Sequence, residues 1–410
     1  MGLSPYNAID HTERMNTMKM KLDNKQAVIE AATAGAKKYA DEQLDLLRQF
    51  AGIDCGSRNE EGNRRVVEIL DRLLETIDGI EIEHRYFEGY GINIIARLRP
   101  ENPTGKIILN AHTDTVFKPG DTEKYPFHID GDTAYGLGII DCKGGILVAI
   151  YAVKIMQEQG LLPDKEIVFI FNCDEEIGSP TGHQVFDTEI PGAEMGFVFE
   201  PSRLEDGILT ARKGSGSITI EVTGRPAHSG VNYTDGRSAL LEAAHRALLL
   251  YEHNNNERGI QFNVGNILSD DPINVVSGRA TAKVSVRVAN KADMDEVERI
   301  LAEVEALPPY IPDTVTRLRV DNFSVPMERT PENGRLYEFV RDAGKLIGYD
   351  LPEQATGGGS DANYLNFHGV PTVDALGPYM YKIHSTDESM SIASIERRTR
   401  LFAVVLGVME

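Results

Sequence analysis

The sequence predicts an α/β protein in which a mostly parallel-sheet domain is interrupted by an inserted, ferredoxin-like α+β domain. Three observations predict it. Apolar strands alternate with helices up to about residue 212 and end in polar residues. Near Lys213 the order changes to β-α-β-β-α-β. After residue 323 the first pattern resumes, so the larger domain draws on both ends of the chain. The expected boundaries are 1–212, 213–323 and 324–410.

Residues 1–22 lack periodicity and are expected to be loosely ordered. Helical patterns cover Gln26–Gln49 and Glu61–Ile77, the second marked by Val66, Ile69, Leu70, Leu73 and Leu74 at helical spacing. Strands follow at Ile80–Arg85, Ile92–Leu98 and Lys106–Ala111, then a helix at Gly144–Gln159 and strands at Glu166–Asn172 and Gly196–Phe199. In the insert, strands are expected at Ser217–Val222, Gly259–Ile267, Ala280–Val288 and Thr314–Val320. Its helices are Arg237–Tyr251, with Leu240, Ala244 and Leu248 on one face, and Asp293–Leu307, with Met294, Val297, Leu301 and Val304 inward. Asp293 and Glu296 read as a capping box for the latter. A helix at Arg335–Ile347, a Gly-rich loop, a strand at Val370–Ala375 and a helix at Ser394–Met409 complete the chain.

Composition narrows the function. Asp and Glu number 63 against 42 Lys and Arg, a formal charge of −21, which disfavours nucleic acid and anionic membranes as partners. No apolar run is long enough to span a bilayer, and Met1–Lys21 lacks the apolar core of a signal peptide. Three cysteines make no disulfide framework, so the expected address is the cytoplasm.

The chemistry sits at strand ends. In Ala111-His112-Thr113-Asp114, residues i and i+2 point the same way, so Asp114 can fix the tautomer of His112 and free its other nitrogen for a metal. In Gly136-Leu137-Gly138-Ile139-Ile140-Asp141, glycines permit a tight turn before a helix. Asp141 occupies the third glycine position of a dinucleotide fingerprint and would oppose a pyrophosphate, so a metal-binding or helix-capping Asp is the better reading. Asp174-Glu175-Glu176 places adjacent carboxylates after an apolar strand, where they repel unless a cation is near. Glu200 ends another apolar strand, and His384 is a further candidate ligand. Alone, each motif also reads as a polar loop. Jointly, two histidines and several carboxylates suit two divalent cations, zinc first, with cobalt or manganese as alternatives.

With these residues in place, the chain resembles the M20 family of metallopeptidases and amidohydrolases, closest in look to its carboxypeptidase G2-like branch, from about Leu44 to the end. The resemblance implies that His112 and Glu200 bind one metal, Glu176 and His384 the other, and Asp141 bridges them. It implies that Asp114 orients His112, that Glu175 is the general base, and that a cis peptide can follow Asp141. Cys142, the next residue, stands where relatives vary. The insert resembles the family's lid and dimerisation domain, which implies a homodimer. His228, in Gly224-Arg225-Pro226-Ala227-His228-Ser229, would contact substrate in the partner's site. Asn274 and Arg287 match lid residues that hold a substrate carboxylate, and Gly358, Gly359 and Ser360 match the loop that closes that pocket. Glutamate-specific carboxypeptidases of this type carry an additional Arg after the last lid strand. Here that stretch reads Val320-Asp321-Asn322-Phe323-Ser324, so a preference for C-terminal glutamate is not implied. The implied activity is hydrolysis of an amide beside a free carboxylate, as a carboxypeptidase or dipeptidase. The alternatives are an N-acyl-amino-acid deacylase and, more remotely, a non-catalytic dimeric binding protein.

Overall fold

The computed structural model of the protein describes residues 19–203 and 205–410. Of the expectation for residues 1–22, the part on 1–18 lies outside the described residues. Beyond it, Met20 bridges Met409 and the Lys21 N–H donates to the Val408 carbonyl, so the chain is tied there to the residues just after helix Ile392–Gly407. The described residues form two compact units. One runs to Thr210 and resumes over Arg329–Ala355 and Ser360–Glu410; the other is Ala211–Glu328 with Thr356–Gly359.

The first unit holds a six-stranded sheet. We label its strands β1 (Glu81–Phe87), β2 (Gly91–Leu98), β3 (Lys106–His112), β4 (Glu166–Asn172), β5 (Ala193–Val198) and β6 (Thr372–Val373). Their order is β1-β2-β4-β3-β5-β6; the last four run parallel, and β2 is antiparallel to β4. β3, β4 and β5 are buried along almost their whole length, as strands covered on both faces must be. Helix α1 (Gly144–Glu158) is apolar all round and packs against helices Lys25–Ala51 and Ile392–Gly407. Its start shows what the tandem glycines are for: a Cβ at Gly145 would lie 1.9 Å from the Phe199 carbonyl oxygen, so only glycine lets the helix approach the end of β5.

Two expectations change here. The strand expected over Val370–Ala375 is confined to Thr372–Val373. Asp374 leaves the sheet to exchange two backbone hydrogen bonds with Leu209, and Ala375 turns through φ +66°. The helix expected from Arg335 starts at Pro331, because Thr330 caps it through the Asn333 N–H.

The second unit is a four-stranded antiparallel sheet with strands Gly214–Thr223, Gln261–Leu268, Arg279–Val288 and Val315–Ser324 in the order 2-3-1-4, the ferredoxin-like arrangement. Alternate residues of Arg279–Val288 (Ala280, Ala282, Val284, Val286, Val288) are buried with the two helices. Helix Lys291–Ala306 is capped by Asn290, whose side chain accepts the Asp293 N–H at 2.9 Å, and not by an Asp293–Glu296 box. Asp293 is buried instead and accepts from Arg258 at 2.7 Å. On helix Ala239–Glu252 the face marked by Leu240, Ala244 and Leu248 lies at the edge of the core: Leu240 packs against it and Ala244 is half-buried. Glu242, Arg246 and Leu250 turn inward, and Leu248 is 52% exposed. A buried ion pair sets that rotation: Arg246 donates to Glu242 at 2.7 Å and to the Leu307 carbonyl at 2.8 Å.

Candidate active site

Three parallel strands end side by side and deliver the site. His112 is the last residue of β3, the Glu175–Ile177 turn follows β4, and Glu200 lies two residues past β5. The His112 ring is buried. Its Nδ1 faces Asp114 Oδ1 at 3.2 Å, and its Nε2 faces Asp141 Oδ1 at 3.1 Å and Glu200 Oε1 at 3.6 Å. Asp141 lies in a wide turn, Ile139–Lys143, between Gly138 at φ +69° and α1, and the Asp141–Cys142 peptide is cis. Its second oxygen, Oδ2, faces His384 Nε2 at 3.0 Å, and that same nitrogen lies 3.2 Å from Glu176 Oε2. One carboxylate therefore presents a different oxygen to each of two imidazoles.

The donor set fits two divalent cations. Ligand atoms about 2.0–2.1 Å from a tetrahedral zinc lie roughly 3.3 Å from one another, and the nitrogen–oxygen separations here run from 3.0 to 3.6 Å. Ligand atoms of His112, Asp141 and Glu176, and of His112, Cys142 and Glu200, each gather within 4.8 Å. Burial pushes the Cys142 thiol up to about 12, which opposes its acting as a thiolate ligand, and its sulfur instead accepts the His112 N–H at 3.3 Å.

Electrostatics divides the carboxylates. Burial alone would raise the Asp141 pKa, but the two histidines hold it well below the usual range. His384 is pushed up to about 10, by Asp141 first and then Glu176. Burial, followed by Glu200, Asp361 and Glu176, holds Glu175 well above the ordinary carboxylate range against the pull of His112. Glu175 makes no side-chain hydrogen bond or ion pair among the described residues, whereas its neighbour Glu176 reaches His384.

Sequence reasoning passed over several supporting groups. Ser57 donates to Asp114 Oδ2 at 2.6 Å, while the N–H groups of Glu175 and Glu176 donate to the two oxygens of Asp114 at 3.1 and 3.2 Å. Glu388 is buried and accepts three backbone N–H groups, from Gly138 at 2.9 Å, Ile140 at 3.0 Å and Asp141 at 3.3 Å. Burial pushes its carboxyl up to about 7 although those donors pull it down. Ser179 donates to Asp361, whose carboxyl burial pushes to about 6. The one usable signal was Glu388, four residues after His384.

The second unit carries the remaining candidates. His228 pairs with Val275 in a short antiparallel bridge, and the Ser229 N–H donates to the Asn274 carbonyl at 2.9 Å, so His228 and Asn274 are neighbours. His228 Nδ1 accepts the Gly230 N–H at 3.1 Å, which leaves the proton on an exposed Nε2. Arg287 projects from the sheet face opposite the helices, and no hydrogen bond or ion pair joins it to His228 or Asn274 among the described residues. The carbonyls of Gly358 and Gly359 both accept from Arg212 at 3.1 Å, an anchor the sequence did not flag. In the first unit, Ser360 caps helix Asp361–Phe367 and donates its hydroxyl to Asp374 at 2.6 Å, so that proton is engaged inside the fold.

Known proteins share this plan. Carboxypeptidase G2 of Pseudomonas sp. (strain RS-16) is 29% identical over 376 residues, covering 88% of this chain and 89% of its own. A succinyl-diaminopimelate desuccinylase of Rhodopseudomonas palustris (strain BisA53) is 27% identical, covering 83% of this chain and 92% of its own. Among solved structures, aminopeptidase PepT from Bacillus cereus ATCC 10987 superposes with a TM-score of 0.78 at 21% identity, covering 90% of this chain and 98% of that one. No helix among the described residues is long and apolar enough to cross a membrane. The family model for peptidase family M20/M25/M40 matches residues 108–407, which include His112, Asp141, Glu175, Glu176, Glu200 and His384. The protein is accordingly a hydrolase of the metallopeptidase and amidohydrolase kind, and it belongs to peptidase family M20/M25/M40.

Proposed function

We propose that the protein is a two-metal amide hydrolase that acts beside a free carboxylate, as a carboxypeptidase or dipeptidase. The observation that supports it most is Asp141, whose two oxygens face the imidazoles of His112 and His384. In this reading His112 and Glu200 would hold one cation, Glu176 and His384 the other, and Asp141 would serve both. Zinc suits these nitrogen and oxygen donors, with cobalt or manganese as alternatives. Two divalent cations held there would supply polarisation of the amide carbonyl and a more acidic attacking water.

The chain's own groups do the rest. Asp114 fixes the ring of His112. Glu175, with its carboxyl held above the ordinary range, takes the water proton and returns it to the leaving nitrogen. His228 donates from Nε2 to the developing oxyanion. Asn274 and Arg287 grip the substrate carboxylate, and Gly358 and Gly359, their carbonyls tied to Arg212, offer it backbone N–H groups. N-acyl-amino-acid deacylation is the same reaction on another acyl group, and the desuccinylase relative favours keeping it as the second reading.

Homodimerisation through the second unit is supported by an apolar row on helix Ala239–Glu252 and the edge strand Gln261–Leu268. Leu241, Leu248, Tyr251 and Leu268 there are each more than half exposed. The three unbridged, buried cysteines support a cytoplasmic address.

The test is Glu175→Gln, read by metal content and by turnover together. The variant should retain two cations per chain by elemental mass spectrometry while kcat falls by roughly 10²–10⁴-fold. Wild-type kcat would sink the base assignment, and loss of a cation would make Glu175 a ligand instead.

A further inference from the structure

Beside the metal-ligand cluster the first unit carries a groove of about 620 Å³, with Glu176 at one end and Arg58, Val116, Phe117, Lys118 and Ile177 along it. Val116 and Ile177 expose 42% and 44% of their surface, so the groove offers apolar contact without being closed. Its charge is unusual for this chain. The protein carries 63 acids against 42 cations, yet both cations of the groove, Arg58 and Lys118, take part in no ion pair among the described residues. The single acid lining it, Glu176, is engaged by His384.

Arg58 is also held in place. It sits at φ +71°, a backbone region that bulky L-residues avoid, one residue before Asn59 caps helix Glu60–Leu74. Its guanidinium lies 4.8 Å over the Tyr90 ring, with Nη2 3.4 Å from the Tyr90 hydroxyl. The Lys118 backbone is pinned by Asp121, which accepts its N–H at 3.0 Å, while its ammonium stays exposed. A strained backbone and a stacked guanidinium fix where one charge stands, and the pinned turn brings the other to the same groove.

We propose that this groove is the subsite for the acyl half of the substrate, and that it selects acyl groups carrying a second anion: a dicarboxylic acyl group, or an acidic residue on the N-terminal side of the scissile bond. The assignment rests on the amide-hydrolase reading above, in which Arg287 and Asn274 take the carboxylate of the leaving amino acid. The acyl half then falls to the first unit, next to Glu176. Two unpaired cations would meet its anion, and Val116, Phe117 and Ile177 would cover its methylenes.

The test compares matched pairs that differ only in that charge: N-succinyl against N-butyryl amino acids, and Glu-X against Gln-X dipeptides, over a range of X. The wild-type enzyme should favour the anionic member by about tenfold or more in kcat/KM, and added salt should shrink the ratio. In Arg58→Gln/Lys118→Gln the ratio should fall towards one, mainly through KM, while Arg99→Gln, a surface change away from the groove, keeps the wild-type ratio. A wild-type ratio near one, or a ratio the double variant leaves intact, would overturn the proposal. Titration calorimetry of the metal-loaded protein with succinate and with butyrate reads the groove without turnover. Succinate should bind more tightly, and the double variant should lose the difference. Succinate preference without hydrolysis of any pair would fault the hydrolase reading and leave the groove standing; equal binding of the two acids would overturn the groove whatever the enzyme hydrolyses.

Discussion

Replacing Glu388 by Gln tests whether the Asp141 turn is held from behind. The wild-type carboxylate receives Gly138 on Oε2, and Ile140 and Asp141 on Oε1. A glutamine amide has one acceptor oxygen, so its NH₂ must face either one or two of these N–H groups, and at least one buried donor loses its partner. An unsatisfied buried N–H costs about 1–3 kcal/mol, and the bonds that survive lose their charge assistance. We therefore expect Glu388→Gln to destabilise the protein by about 2–4 kcal/mol and Glu388→Ala, which strands all three donors, by more. Asp141 should also be less well placed, lowering metal affinity by about 10–100-fold, as loss of groups behind metal ligands commonly does. The assays are urea unfolding of the metal-free protein and competition with a chromophoric chelator, both at pH 8, above the value of about 7 to which burial pushes this carboxyl. If Glu388→Gln matched wild type in unfolding midpoint and in metal affinity within twofold, the three hydrogen bonds would not be what holds the turn.

Three other outcomes follow from the same geometry. The proposed ligand His384 is held by Asp141 and then Glu176, which push its pKa up to about 10 and keep a proton on it when no cation is present. Metal uptake near pH 8 should therefore release protons, read as buffer-dependent binding enthalpy, and no proton release would refute that pairing. His183, stacked on Tyr364 at 3.8 Å, is pushed down to about 4 by burial. It is neutral in the fold and protonated in the unfolded chain between about pH 6.5 and 4, so stability falls as pH falls through that window, by at most about 3 kcal/mol. His183→Phe should flatten this loss, and a wild-type slope in the variant would show that the ring is not its source. If His228 acts in the partner's site, mixing His228→Ala with Glu175→Ala should restore roughly a quarter of wild-type activity through hybrid dimers. No recovery despite proven subunit exchange would refute the exchange of His228.

The sheet was legible because burial on both faces leaves continuous apolar runs, and those runs end where the polar residues begin. β4 matches its expected span, and β3 exceeds its own only by His112. What periodicity misread shares one cause, a polar group placed where an apolar one was expected. The Arg246–Glu242 pair is buried, and the helix that carries it leaves Leu241 and Leu248 outside. Asn290 lies in an unremarkable Ala-Asn-Lys and takes the cap from Asp293, which is drawn inside by Arg258. The proposed ligand residues stood out because acids and histidines are rare at the ends of apolar strands. Ser57, Arg212 and Glu388 did not, because each acts through backbone or carboxylate groups brought near only by folding.

Asp114 carries more of the site than a partner for His112 needs to. Its Oδ1 faces the imidazole Nδ1 and accepts the Glu175 N–H, while its Oδ2 accepts from Glu176 and from Ser57. Consecutive backbone N–H groups bound to one carboxylate fix the turn after β4, and a fixed turn sends neighbouring side chains different ways. Glu176 then reaches His384, and Glu175 is left near His112, Glu200 and Asp361 with a raised pKa. The adjacent acids, chemically alike in sequence, are thus given different surroundings by backbone geometry. Asp114→Asn would keep a ring partner for His112, but its NH₂ would face at least one of those N–H donors. Its damage should therefore fall on the Glu175–Glu176 turn as much as on the histidine, a distribution that orientation of the imidazole alone does not explain.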